Sequence, residues 1–377
     1  MISALTPHEE EARLEARRLA DGVLGPQAEG WEEREELPSD VIRELCALGF
    51  GAAVLPREAG GAGLSHVGAL AVFEELARGD MTAAFVLLCQ NSCCRSIWRH
   101  GNEEQRARWL PALAAGEVLG AYVITEPEAG SDPASMRTTA REVDGGFVLD
   151  GKKSLISNAP VAGVFLVSAK TEPELGARGV SSFLIGRGTP GLETGERQRT
   201  LGARALQLGE LSLRNCRVER DALLGERGHG FKIALDAVNF ARVVWGALSA
   251  GLARAVLDQA LEHLGRRKQF GRALVEFQAV QFQLADLATA IEVARLLAYR
   301  AAELMDRGED AIAAAAMTKL FAGDMAVRVT SEALELLGGA GYLVPSPLER
   351  YLRQARMAQL ADGTSNIQRH VIARSLL

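Results

Sequence analysis

The sequence predicts a mainly α fold with a β domain set between two helical domains. Helix-start signals crowd the first third, short β-rich runs fill the middle, and long apolar stripes in steps of three and four fill the rest. These changes of pattern divide the 377 residues into an N-terminal helical domain (1–117), a middle β domain (118–226) and a C-terminal helical bundle (227–377). A chain of this length exceeds what one hydrophobic core usually serves, so several packed units are expected.

In the first segment, Thr6, Pro7 and Glu9 make a capping box with proline at the first helical position. The helix it opens is predicted to stop near Gly25-Pro26. A second follows Pro38-Ser39-Asp40, with Val41, Leu45 and Leu48 on one side, and ends at Gly49. Gly60-Gly61-Ala62-Gly63 lacks the lysine and hydroxyl of a phosphate-binding P-loop and reads as a plain loop before a third helix at about 67–78. In the middle, 118–125, 147–150, 163–168 and 181–185 read as strands, with 211–213 and 216–218 as the last two. Beyond them, Phe277, Val280, Leu284, Leu287, Ile291, Ala294, Ala298 and Ala301 form one stripe along a long helix. Helices at about 232–264, 310–337, 348–360 and 365–376 complete an antiparallel bundle.

The balance of 42 basic and 48 acidic side chains, net −6, offers no basic field for nucleic acid or an anionic membrane. An anionic ligand must therefore be held by local groups. No run of about 18 apolar residues suits a bilayer, and 1–12 lacks the pattern of a secretory leader. The expected location is the cytoplasm. Cys46, Cys89, Cys93, Cys94 and Cys216 are odd in number and ill-spaced for disulfides, so they are expected to be buried as small apolar residues. No metal site is expected.

Four motifs carry chemistry. The run Ile124-Thr125-Glu126-Pro127-Glu128-Ala129-Gly130-Ser131-Asp132 leaves the first strand as a loop whose N–H and hydroxyl groups suit a polar ring edge or a phosphate. Lys152-Lys153-Ser154-Leu155-Ile156-Ser157-Asn158 follows in the β domain. Arg267-Lys268-Gln269-Phe270-Gly271, then Phe277-Gln278, combines a guanidinium suited to pyrophosphate with rings that can pack on adenine. Lastly, the glycines of Glu335-Leu336-Leu337-Gly338-Gly339-Ala340-Gly341 let backbone approach a ligand, and Ala361-Asp362-Gly363-Thr364-Ser365-Asn366 follows.

In order and spacing, over essentially the whole chain, these motifs resemble those of the acyl-CoA dehydrogenase family. The resemblance implies a middle β-barrel, a C-terminal four-helix bundle and FAD as cofactor. It implies flavin contacts from Tyr122, Ile124, Thr125, Ser131, Leu155 and Ser157, and from Thr364 and Asn366. Arg267, Phe270, Leu274, Gln278, Glu335, Gly338 and Gly339 would complete the flavin site. Family members send the Arg267–Gln278 segment to a neighbouring subunit's flavin, so a homotetramer or homodimer is implied. The substrate would be an acyl thioester on coenzyme A or on a carrier protein, met by Ser131, Arg242 and Gly363. The implied electron acceptor is an electron-transferring flavoprotein. Leu155 departs from the family by replacing an aromatic wall. Glu335 and Gln354 stand where glutamine and aspartate are common, and Asn366 where glutamate or glutamine is.

The implied reaction is α,β-dehydrogenation: a carboxylate takes the proton α to the thioester carbonyl while the flavin accepts hydride from the β carbon. The family's base is usually a glutamate before Gly-Thr; here it is Asp362, one methylene shorter. A misplacement of about 1 Å costs on the order of 100-fold in rate. One reading is a site reshaped to fit aspartate. A second is a different carbon acid, as in nitroalkane oxidases, which carry aspartate here. A third places the base on the 236–245 helix, where Ala241 and Asn239 offer none. Helix N-capping is the structural alternative for Asp362. The run Val243-Val244-Trp245-Gly246 resembles branches that act on carrier-protein-bound acyl groups in secondary metabolism. Competing readings of the same fold are an oxygen-using flavoprotein and a non-catalytic thioester binder.

Overall fold

The computed structural model describes residues 4–377; residues 1–3, at the head of the segment read as lacking a leader, lie outside it. The capping box forms, Thr6 accepting from the Glu9 N–H and Glu9 from the Thr6 N–H, and it opens α1 (Pro7–Leu19). The helix does not stop at Gly25-Pro26. It passes through a π-turn (Ala20–Leu24) into α2 (Gly25–Arg34), with the Gly25 N–H reaching back to the Ala20 carbonyl. Pro26 falls in the first turn of α2, where its missing N–H costs little. α3 (Ser39–Ala47) buries Val41, Ile42, Leu45 and Cys46. Leu48 caps α3 outside helical geometry and is 37% exposed, so it leaves the face expected for it. α4 (His66–Gly79) and α5 (Met81–His100) are buried along most of their length, and α6 (Glu103–Ala114) closes the segment.

The middle strands are β1 (Gly120–Val123), β2 (Thr139–Val143), β3 (Gly146–Ser157), β4 (Val164–Lys170), β5 (Val180–Gly186), β6 (Leu192–Thr194), β7 (Leu208–Glu219) and β8 (Leu223–Leu224). They form one eight-stranded sheet in the order β6-β7-β3-β2-β4-β5-β8, with β1 parallel to β4. The two strands read at 211–213 and 216–218 are one, and the strand read at 147–150 runs on to Ser157. Their irregularities are register shifts within the β3–β7 ladder, not breaks. β4 and β5 are buried on both faces. Phe165 and Phe183 meet the sheet's own core, while Val164, Leu166 and Leu184 meet Ile97, Leu110 and Leu113 of the helical layer.

α7 (Gly230–Arg266) runs through the centre. A short hairpin of β9 (Lys268–Gln269) and β10 (Arg272–Ala273) leads to α8 (Gln278–Asp306) and α9 (Ile312–Leu336). α7 packs on α4, α5, α8 and α9, while α10 (Pro347–Met357) and α11 (Ser365–Leu376) pack on α9. By length and hydropathy α7 suits a membrane, but 89% of its apolar window is buried inside the protein, which makes it a core helix. Gly251 permits the close approach of α4: a Cβ there would lie 2.1 Å from the Glu74 carbonyl oxygen.

Candidate active site

Asp362 lies in the turn between α10 and α11 with φ 51°, followed by Gly363 at φ 95°. Left-handed backbone suits glycine and is tolerated by aspartate better than by most residues. Three side chains pin the turn by its carbonyls. Arg242 Nε donates to the Asp362 oxygen at 3.3 Å, and Lys319 Nζ and Gln368 Nε2 to the Gly363 oxygen at 2.5 and 2.8 Å. Arg242 is steadied by Asn239, which accepts from its Nη1 at 3.0 Å. The side chain of Asp362 is held separately: Trp245 Nε1 donates to Oδ2 at 2.7 Å. The N-cap of α11 is Thr364, whose hydroxyl accepts from the Ile367 N–H, so the capping role considered for Asp362 falls to another residue.

Burial raises the Asp362 pKa above the ordinary carboxylate range, while the indole N–H, Lys319 and Arg242 pull it back. Burial also lowers Lys319, to about 8, against the attraction of Asp362. The arrangement is a desolvated carboxylate kept ionisable by nearby cations, which suits a base working near neutrality.

Cys46, Cys93, Cys94 and Cys216 are buried as expected, but Cys89 is partly exposed. Its thiol pKa is pushed well up by burial and by the charge of Asp362, while a hydrogen bond with Ser157 acts the other way. Cys89 on α5 therefore joins Ser157 of β3 to the Asp362 turn in one space. Beside it, Lys153 Nζ donates to the Ile124 oxygen at 2.9 Å and pairs with Glu126 at 3.0 Å. Glu126 in turn accepts from the Arg137 and Thr138 N–H groups, and the Ser154 N–H donates to the Thr125 oxygen. These bonds tie Ile124 and Thr125 to Lys153 and Ser154, the residues just before Leu155. Leu155 sits at a register shift with φ 55° and is 60% exposed, its apolar side turned outward between half-buried Thr125 and Ser157. An open apolar wall with hydroxyls at its edge fits a flat ring with a polar rim. Ser131 is exposed at the far end of the loop, whereas Tyr122 spends its hydroxyl on the Ile233 oxygen and Ser96.

The remaining flavin candidates gather elsewhere. Arg267, Phe270, Gln278, Glu335, Gly338 and Gly339 are exposed and Leu274 is half-buried, around the ends of α7 and α9. Arg267 and Leu337 border one cleft. A Cβ on Gly338 or Gly339 would meet nothing within 4 Å, and Phe270 is 93% exposed. Among the described residues no hydrogen bond or ion pair joins this second group to the Asp362 turn. Gln354 is explained by its neighbours: its amide donates to Asp80 and Thr82, where a second carboxylate would face the first.

Sequence reasoning missed Cys89, Phe85, Lys319 and Gln368 as neighbours of the site. Lys319 alone carried a signal, as a lone charge in the alanine-rich run Ala313-Ala314-Ala315-Ala316-Met317-Thr318-Lys319.

Comparison with known proteins identifies the family and the fold. Models of the acyl-CoA dehydrogenase N-terminal, middle and C-terminal domains match residues 6–117, 121–216 and 228–377. A probable acyl-CoA dehydrogenase, FadE25 of Mycobacterium tuberculosis, is 39% identical over 374 residues, covering 99% of this chain and 96% of its own. The structure of butyryl-CoA dehydrogenase from Megasphaera elsdenii superposes with a TM-score of 0.96 at 34% identity, covering both chains fully. PigA, solved with FAD and proline, superposes with a TM-score of 0.96 at 33% identity, covering 100% of this chain and 99% of its own. With all three domain models in order and the likeness running end to end, the chain belongs to the acyl-CoA dehydrogenase family.

Proposed function

We propose that this protein dehydrogenates an acyl thioester between its α and β carbons, with Asp362 as the base that takes the α proton. It is an FAD-dependent oxidoreductase of the acyl-CoA dehydrogenase kind. The observation that carries the reading is the desolvated Asp362 carboxylate, fixed by Trp245 with Lys319 and Arg242 beside it. When bound, FAD supplies the acceptor for the β hydride. Thr125, Ser131, Leu155, Ser157, Thr364 and Asn366 would hold its ring region. The exposed group from Arg267 to Gly339 would serve the flavin of a neighbouring copy, as a homotetramer or homodimer requires. Burial raises the basicity of Asp362, and its backbone N–H would meet the thioester oxygen.

Coenzyme A is the favoured carrier of the acyl group. A carrier protein is the second reading, supported by the Val243–Gly246 run. An electron-transferring flavoprotein as acceptor, the cytoplasm as location and the division at 117 and 226 belong to the same proposal. The test is an anaerobic visible spectrum of the purified protein before and after adding short to long acyl-CoAs. Bleaching of the flavin band by one of them supports dehydrogenation and names the chain length. A yellow protein that none of them bleaches refutes the coenzyme A reading and moves the substrate to a carrier-bound thioester or another carbon acid.

A further inference from the structure

Trp245 is 1% exposed, and its single polar atom is given to the candidate base. A buried indole N–H needs a partner; this one takes Oδ2 of Asp362, and among the described residues Oδ1 receives no hydrogen bond. The body of the indole lies against Phe85 of α5, ring centroids 5.0 Å apart and tilted by 37°, and Phe85 is itself 5% exposed. Two large rigid rings thus fill the space between α5 and α7 beside the carboxylate.

We propose that Trp245 is a positioning and specificity residue for the dehydrogenation put forward above. It holds the short aspartate so that Oδ1 is left to take the proton. With Phe85 it closes the acyl pocket directly beyond the base, so the substrate is a short acyl thioester. The proposal rests on Asp362 being the base, but its physical core is a contact between two residues and is measurable without any substrate. Aspartate has one methylene less reach than glutamate, so an oxygen aimed by a fixed donor matters more to it. A long acyl chain would have to displace the indole, which would break the same hydrogen bond. The charged or titratable groups facing the carboxylate are Arg242 on α7, Lys319 on α9 and Cys89 on α5. Trp245 is the neutral donor among them.

The experiment compares holoenzyme with Trp245→Phe, which keeps a ring but loses the N–H, and Trp245→Val, which opens the space. Anaerobic flavin reduction is followed with butyryl-, octanoyl- and dodecanoyl-CoA across pH. In parallel, fluorine NMR of 5-fluorotryptophan-labelled protein follows the four tryptophans. Wild type should prefer butyryl-CoA. Trp245→Phe should slow reduction about 10- to 100-fold and move its pH profile upward without changing the preference. Trp245→Val should shift the preference toward octanoyl-CoA, by roughly fourfold for each methylene newly accommodated. One fluorine resonance, absent in Trp245→Phe, should move in Asp362→Asn. A Trp245→Phe enzyme with wild-type rate and profile overturns the positioning role. Unchanged preference in Trp245→Val, or wild type that reduces equally with dodecanoyl-CoA, overturns the specificity role. If no acyl-CoA reduces the flavin, the coenzyme A reading and the short-acyl role argued for it fall together. In that case a resonance that follows Asp362 upholds the positioning contact, and one that does not refutes it.

Discussion

Lys319 gives the sharpest test of how the Asp362 turn is built. It is 1% exposed, its ammonium donates to the Gly363 oxygen at 2.5 Å, and burial drives its pKa from 10.5 to about 8. A depressed lysine pKa means that the folded protein favours the neutral amine. The stability this preference confers is complete above pH 10.5, the unfolded value, and is lost as pH falls through about 8, the folded value. At about 1.4 kcal/mol per pH unit, the interval from 10.5 to about 8 corresponds to roughly 3 kcal/mol. Keeping Lys319 charged at neutral pH therefore costs the fold that much, in exchange for a cation beside the base. Lys319→Met removes the charge, while Gln368 still satisfies the Gly363 oxygen at 2.8 Å. Measured by denaturant unfolding, wild type should gain roughly 3 kcal/mol on the variant between pH 8 and 10.5, because only wild type relieves a buried charge there. The same variant should reduce its flavin more slowly at pH 6 to 7, with the rate profile moved upward, because Asp362 has lost an opposing charge. A stability difference flat across that pH range, together with an unmoved rate profile, would refute both the burial of a charged amine and its coupling to Asp362.

Three further outcomes follow from contacts already described. Asp362→Asn should remain yellow and lose substrate-dependent flavin reduction by at least about 1000-fold, on the scale of losing a general base; undiminished reduction would sink the assignment. Lys153→Met leaves Glu126 buried without its partner beneath the Thr125 loop, so it should cost about 3–5 kcal/mol and shed flavin on gel filtration. Full flavin content at an unchanged melting temperature would contradict it. Burial alone would raise the pKa of Asp236, but His100, Arg95 and Arg99 hold it well below the carboxylate range. Its stabilisation is therefore present above about pH 4 and lost as pH falls further. Asp236→Asn should destabilise by about 3 kcal/mol at pH 7, with the difference shrinking in acid. An equal deficit at pH 7 and pH 3 would argue against the ion pair.

Several helix starts and the stripe of α8 were legible because each rests on short-range chemistry, whereas the stop expected at Gly25-Pro26 was not real and α5 and α6 went unread. Thr6 and Glu9 satisfy one another across three residues, and α11 begins at Ser365 as read, though its cap is Thr364 and not Asp362. The β3–β7 ladder was misjudged at its irregularities: Gly151 and Asn215 look like stops, and only cross-strand pairing reveals that the chain continues past them. The identity of Asp362 was carried by its motif, but its surroundings were not. Cys89, Trp245 and Lys319 sit on three helices far apart in sequence and meet through packing, which no local pattern encodes. Trp245 was visible in its run, yet the contact it makes depends on the angle at which α7 passes the final turn.

The π-turn at Ala20–Leu24 has a consequence for which changes of chain length this fold survives. It holds one residue more than an α-helix would and absorbs it locally, so one buried stripe runs on from Ala12, Ala16 and Leu19 through Leu24 to Ala28 and Trp31. Deleting the exposed Gly22 would close the wide turn into ordinary α-helix with α2 still in phase, whereas one residue more would turn α2 by about 100° against α1. Such an insertion would swing Trp31 out of the core and take Glu32 from the Arg204 N–H and the Arg353 guanidinium that it joins. Gly22 has nothing within 4 Å of where its Cβ would stand, so the position accepts new side chains. Descent with substitution, or with loss of one residue, is open at this point in the helix; descent with a further insertion is not.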